Sequence, residues 1–297
     1  MNRMSSLFAC SLAGLMLVAG STQARTTAPA PASAQPAAVS YADLIKAHAP
    51  ALVTVKFILK SEGMGDTESE IPGLVIDGSG LVLVSSSEIG GIPPQFAAMM
   101  GGRAPTPTDI KVLVGDDTQG VEAKLIARDS ELDLAWIRVD KAPETPWTAL
   151  DFAKGAEPAL GDTMLALFRS GKFFDRAPKV IRTTLSGETR KPRHLLFPSG
   201  MDLFQRQCTA IFDASGKLVG VTTVIFPDPE EMESMQRGGG MNDMLAGTIL
   251  PAKEIAAATT RALESAAKNP PAEAEAAPAG PAPESAPAAE PKAADPK

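Results

Sequence analysis

Residues 73–89 read GLVIDGSGLVLVSSSEI, two short apolar segments, Leu74–Ile76 and Leu81–Val84, on either side of Asp77-Gly78-Ser79-Gly80. Asp, Gly and Ser between two such runs favour a tight reversal, so the stretch predicts a β-hairpin. A second stretch has the same design: Ala210–Phe212, then Asp213-Ala214-Ser215-Gly216, then Leu218–Phe226. Outward from these lie further short apolar runs at Leu52–Leu59, Ile110–Val114, Val121–Ile126 and Leu134–Val139. Others follow at Met164–Phe168, Val180–Leu185, Leu195–Phe197 and Thr248–Leu250. Bounded by turn residues, these predict strands rather than helices. They form two sets parted near Pro143–Gly161, which implies an all-β fold of two small barrels packed together. Helix is expected only at the ends: one or two turns at Tyr41–Ala47, and Pro251–Lys268, opened by proline, with Ile255, Ala258, Ala262 and Ala266 on one face. Two inserts, Gly90–Thr108 and Pro227–Asp243, read as long loops.

Composition narrows the function. The 297 residues are 44% hydrophobic and 21% charged, enough apolar surface for a sizeable core. A net charge of −7 without a dense Lys/Arg run argues against a nucleic-acid partner. Two cysteines exclude a disulfide-stapled scaffold, and two histidines cannot alone make a three-histidine metal site. Residues 1–24 predict a signal peptide: Arg3, the apolar run Leu7–Ala19, and Thr22-Gln23-Ala24 as the cleavage site. The expected location is therefore periplasmic or secreted, with no transmembrane span after cleavage. Cleavage would remove Cys10, leaving Cys208 with no disulfide partner. Residues 25–39 read as a Pro/Ala linker, and 269–297, with 8 Pro and 11 Ala, as a disordered tail. The folded part is then 40–268, with an N-barrel at about 50–142, a C-barrel at about 150–251 and a helix at 251–268.

Five motifs in this order resemble the HtrA/Deg branch of the trypsin-like serine proteases. Residues 73–89 are similar to that family's first hairpin, and 110–139, ending ELDLAWIRV, to its aspartate segment. Leu160–Ala166, Ala210–Gly220 and Gly247–Ala252 match its later steps. The resemblance implies two antiparallel six-stranded barrels with the site in the cleft between them. It places the family's histidine on Ser87, its aspartate on Asp133 and its nucleophile on Gln207, with Gln205 and Arg206 in the oxyanion loop. An amide has no useful nucleophilicity and a serine no pKa near neutrality, so two of the three chemical roles have no carrier. The reading is a protease-fold protein without catalytic residues, using no cofactor and binding a polypeptide or cell-envelope partner. The alternative is an endopeptidase of unconventional mechanism.

Two other ideas are weaker. Cys208 lies one residue past the nucleophile position, but its candidate bases, His48 and His194, fall in the wrong places for the family's base. It is expected to be a half-buried residue at a strand start. Met232, Met235, Met241 and Met244 form two M-x-x-M pairs of the kind that binds Cu(I), without His or Cys support. These methionines, with Met99 and Met100, are instead expected to offer an apolar surface to a partner. The segment after the last helix is too short for a PDZ module, so peptide capture by that route is not expected.

Overall fold

The hairpin at Asp77 forms because its side chain closes the turn. Asp77 Oδ1 accepts the Ser79 N–H at 2.7 Å, and Gly80 N–H donates to Asp77 O at 3.0 Å. Gly80 has φ +93°, and a Cβ there would lie 2.2 Å from Val139 Cγ2, so only glycine fits. The Asp213 turn repeats the device: Asp213 Oδ1 accepts Ser215 N–H at 2.8 Å and Lys217 N–H at 3.0 Å. The computed structural model describes residues 38–61, 65–93, 105–200, 207–227, 229–238 and 247–268.

Six strands make the first barrel: β1 (Leu52–Ser61), β2 (Gly65–Asp77), β3 (Leu81–Ser85), β4 (Thr106–Val114), β5 (Val121–Asp129) and β6 (Leu134–Val139). All pairings are antiparallel, and the sheet closes in the order β1-β2-β3-β6-β5-β4. The second barrel has β7 (Thr163–Arg169), β8 (Pro178–Thr189), β9 (Leu195–Pro198), β10 (Ala210–Asp213), β11 (Leu218–Thr223) and β12 (Thr248–Pro251). It closes in the order β10-β11-β12-β9-β8-β7. Helix α1 (Tyr41–His48) precedes β1, α2 (Pro229–Gly238) lies between β11 and β12, and α3 (Ala252–Lys268) follows β12. No helix among the described residues is long and apolar enough to cross a membrane.

The two-barrel expectation therefore holds, with local differences. β2 begins nine residues before the expected Leu74, because Gly65–Glu70 is a polar ribbon held by main-chain pairing and charge, including Lys56–Glu68 at 2.8 Å, rather than by burial. β11 stops at Thr223, short of the expected Phe226. Pro251 ends β12, and the last helix starts at Ala252 instead. Part of the expected Pro227–Asp243 loop is helix α2, which has proline first, Glu230 and Glu231 in its first turn and an Arg237–Glu233 pair. The predicted signal peptide and tail lie outside the described residues, as does the linker except its last two positions. Val39, in one of them, donates its N–H to Ala214 O at 2.8 Å.

One continuous apolar cluster runs through the first barrel and into the second, from Trp136 and Phe57 to Leu167 and Phe212. Side chains also clamp the barrels together. Arg169 Nε donates to Leu52 O at 2.8 Å and its Nη2 to Ala49 O at 3.1 Å. Thr223 Oγ1 donates to Leu132 O at 2.8 Å. Helix α3 buries Ala252, Ile255, Ala258 and Ala262, four of its inward positions. The ends of β3, β6 and β10 thus meet at the barrel interface, which is where the candidate site lies.

Candidate functional site

Asp133 organises the interface. It ends the β5–β6 turn in the left-handed region at φ +55°, which turns its carboxylate inward, and it is buried. Its Oδ1 accepts the Ser87 N–H at 2.7 Å, and its main-chain oxygen accepts the Ser86 N–H at 3.1 Å. Burial pushes its carboxyl pKa up, and the hydrogen bonds from Ser87, Ser85 and the Val224 main chain oppose that shift.

Ser85, the last residue of β3, is the hub. Its Oγ lies 2.8 Å from Asp133 Oδ2, 2.5 Å from Gln207 Oε1 and 3.1 Å from Ser87 Oγ. Ser87 Oγ lies 2.9 Å from the same Gln207 oxygen. A hydroxyl has one proton, so Ser85 cannot donate to both Asp133 and Gln207. The count closes when the Gln207 amide is turned to present its nitrogen. Its two N–H donors then meet the two hydroxyls, and Ser85 donates to the Asp133 carboxylate. In that orientation the arrangement is a saturated cluster of amide, two hydroxyls and one carboxylate.

The structure thus brings three of the sequence-derived positions, Ser87, Asp133 and Gln207, into one network. Gln205 and Arg206 lie outside the described residues, as do Met99, Met100, Met241 and Met244. Met232 is half-buried on α2, and Met235 lies on the same helix. Ser85 was missed as a separate member, although its place two residues from Ser87 at a strand end was the available signal.

Cys208 corrects one expectation: it is buried, not half-buried, at 4% exposure. Its Sγ lies 3.3 Å from Leu83 O across the barrel interface, while its N–H donates to Thr222 O at 2.9 Å. Burial, reinforced by Glu88 and Asp133, pushes its thiol pKa well up, the reverse of what a thiolate nucleophile needs. Neither imidazole serves the site. His194 Nε2 pairs with Glu188 at 3.2 Å, and His48 stacks on Phe212 with ring centroids 4.5 Å apart.

Beside the cluster, β1, β2 and the β7–β8 loop enclose a cavity of about 200 Å³ whose lining includes Glu88 and Cys208. Glu88 Oε2 is buried without a hydrogen-bond partner among the described residues. Burial first, and then the nearby Asp133 charge, raise the Glu88 pKa to about 7. The folded state thus holds a proton that the unfolded chain releases at lower pH, so stability falls as pH rises from about 4.5 through about 7. Glu88→Gln is expected to remove this slope. Allowing for partial exposure of the group, it should stabilise the protein by on the order of 2 kcal/mol at pH 8 and by almost nothing at pH 4. Urea unfolding at both pH values checks this.

The two closed six-stranded barrels are the trypsin-like fold seen in HtrA-type proteases. Among solved structures, the chain is similar to the HtrA-type protease AlgW with a tripeptide, at 18% identity and TM-score 0.50, over 76% of this chain and 64% of that chain. It is also similar to Deg5, at 16% identity and TM-score 0.49, over 72% of this chain and 90% of that chain. The chain thus spans just under two thirds of the AlgW chain. The likeness is one of fold. No family model matches the sequence, and no curated protein matches it.

Proposed function

We propose that this is an exported protein of trypsin-like fold that does not hydrolyse peptides and instead binds a polypeptide or cell-envelope partner. The observation that carries the reading is Gln207, whose amide is bonded to Ser85 and Ser87 at the centre of the interface. Acyl transfer in this fold needs a hydroxyl or thiolate nucleophile and an imidazole to take its proton. The cluster offers an amide and two serine hydroxyls, while both histidines are engaged elsewhere. Export rests on the leader-like residues 1–24.

The mature chain incubated with fluorescently labelled, unfolded casein separates this reading from an endopeptidase. Binding without release of fragments is the expected result. Time-dependent fragments that persist after removal of contaminating proteases, and vanish with Gln207→Ala or Cys208→Ala, would establish the endopeptidase.

A further inference from the structure

We propose that the loop between β7 and β8 is a membrane-contact tip. Phe173 and Phe174 insert among the acyl chains of an anionic phospholipid surface, and Lys172, Lys179 and Arg182 meet its headgroups. This goes beyond polypeptide binding and does not depend on it.

The rings stand free of the fold. Tyr41, Leu160, Phe173 and Phe174 are the large apolar side chains exposed among the described residues. Tyr41 lies on α1 and Leu160 precedes β7, whereas the two phenylalanines are adjacent in the loop that follows β7. Phe173 is 90% and Phe174 66% exposed, edge to face with centroids 5.0 Å apart. The cavity between the barrels has Lys172 in its lining but neither ring. The pair therefore projects from the surface instead of lining a cleft. Single exposed apolar residues are ordinary, but two rings together at a loop tip mark a contact surface.

The loop is fixed from behind. Ser170 N–H donates to Ala177 O at 2.9 Å, Phe174 N–H to Gly171 O at 2.9 Å and Ala177 N–H to Phe174 O at 3.1 Å. Asp175 and Arg176 are both left-handed, at φ +55° and +47°, and the chain reverses there. Arg176 turns inward, is 9% exposed, and donates through Nη2 to both Glu70 oxygens at 3.0 Å. Arg169 Nη1 donates to the Arg176 carbonyl at 3.2 Å. A tip held this way loses little conformational freedom on docking.

The charge around the rings selects the partner. Although the chain carries −7 overall, residues 169–182 hold Arg169, Lys172, Arg176, Lys179 and Arg182 against Asp175 alone. Arg169 and Arg176 are bonded inward, which leaves Lys172, Lys179 and Arg182 exposed on the same hairpin. None of these three forms an ion pair among the described residues. The nearby Glu68, which feels the Lys172 charge, is held by Lys56 at 2.8 Å. Rings that reach below the headgroups beside long cations that stay level with the phosphates are the composition of interfacial segments. A fluid anionic surface moulds to a convex tip of this kind and uses rings and cations together.

The test uses the mature chain, residues 25–297, which keeps every described residue and lacks the apolar leader. It is sedimented with vesicles of one part phosphatidylglycerol to two parts phosphatidylcholine, and with phosphatidylcholine alone. Binding to the anionic vesicles is expected. It should weaken about tenfold or more in Phe173→Ser with Phe174→Ser, and likewise in Lys172→Gln with Lys179→Gln, with urea midpoints in place. Phe173→Trp is expected to gain fluorescence that acyl-chain-brominated lipid quenches, a signal that a merely structural role would not produce. No binding by the wild type, equal binding to phosphatidylcholine alone, or unchanged binding by the double Phe variant would overturn the proposal. Loss of affinity for labelled unfolded casein in the double Phe variant, without loss on vesicles, would overturn it in favour of a polypeptide. A dimer in sedimentation velocity that this variant converts to monomer would overturn it in favour of a second copy. Casein binding by the wild type is read separately, so failure here leaves the polypeptide reading standing.

Discussion

Neither Gln207→Ser nor Ser87→His alone is expected to release peptides from unfolded casein above the background without protein. A serine at 207 would add a hydroxyl beside Ser85 and Ser87, with no imidazole to remove its proton. A histidine at 87 would keep the main-chain bond to Asp133 but would face the Gln207 amide. In a unit of this kind, losing the nucleophile or the base alone costs about as much as losing the whole set, on the order of 10⁶ in turnover. Any gain is therefore expected only in the double variant, which rebuilds a carboxylate–imidazole–hydroxyl chain on Asp133. Turnover of a quenched fluorescent casein by the two single variants and the double variant checks this. Activity in either single variant would show that a base or nucleophile exists outside the Asp133 cluster.

Trp136→Ala is expected to remove about 3–5 kcal/mol of unfolding free energy. Trp136 is fully buried in β6, opposite Leu83 on one neighbouring strand and Ala127 on the other. Its Nε1–H donates to Thr259 Oγ1 at 3.1 Å, joining the first barrel to α3. Truncation would leave a cavity at that joint and take the indole donor from Thr259. Folded domains are stable by about 5–15 kcal/mol, so the loss is a large share of the total. Trp136→Phe, which retains a ring but lacks the N–H, is expected to cost about 1–3 kcal/mol. Urea midpoints followed by far-UV circular dichroism rank the three proteins. An unmoved midpoint in the alanine variant would mean that α3 is held by other contacts.

The barrels were legible because their determinants are local. Asp77 and Asp213 close turns with their own side chains, and the runs beside them are apolar because those strands are buried. The first half of β2 was not legible, since a ribbon exposed on both faces carries no alternation of apolar and polar residues. Helix α2 was not legible for a different reason: PEEMESMQRG has two methionines as its apolar side chains, too few to show a helical period, so its first-turn proline and acidic residues are its sole local signals.

At the site, the order of motifs located Ser87, Asp133 and Gln207, but three consecutive serines do not reveal which hydroxyl turns inward. Ser85 became the hub only through strand pairing with Leu134, next to Asp133. The Arg176–Glu70 pair joins residues 106 positions apart, and the exposure of Phe173 and Phe174 depends on how the loop folds. Neither has a local signature.

The most direct measurement on the central claim is the intact mass of the wild-type chain after prolonged exposure to a fluorophosphonate probe at neutral pH. Such a probe captures a hydroxyl only where a base activates it. The expected result is an unmodified mass under conditions that fully label an active serine protease. A stoichiometric adduct mapped to Ser85 or Ser87, and abolished by Asp133→Asn, would contradict the account.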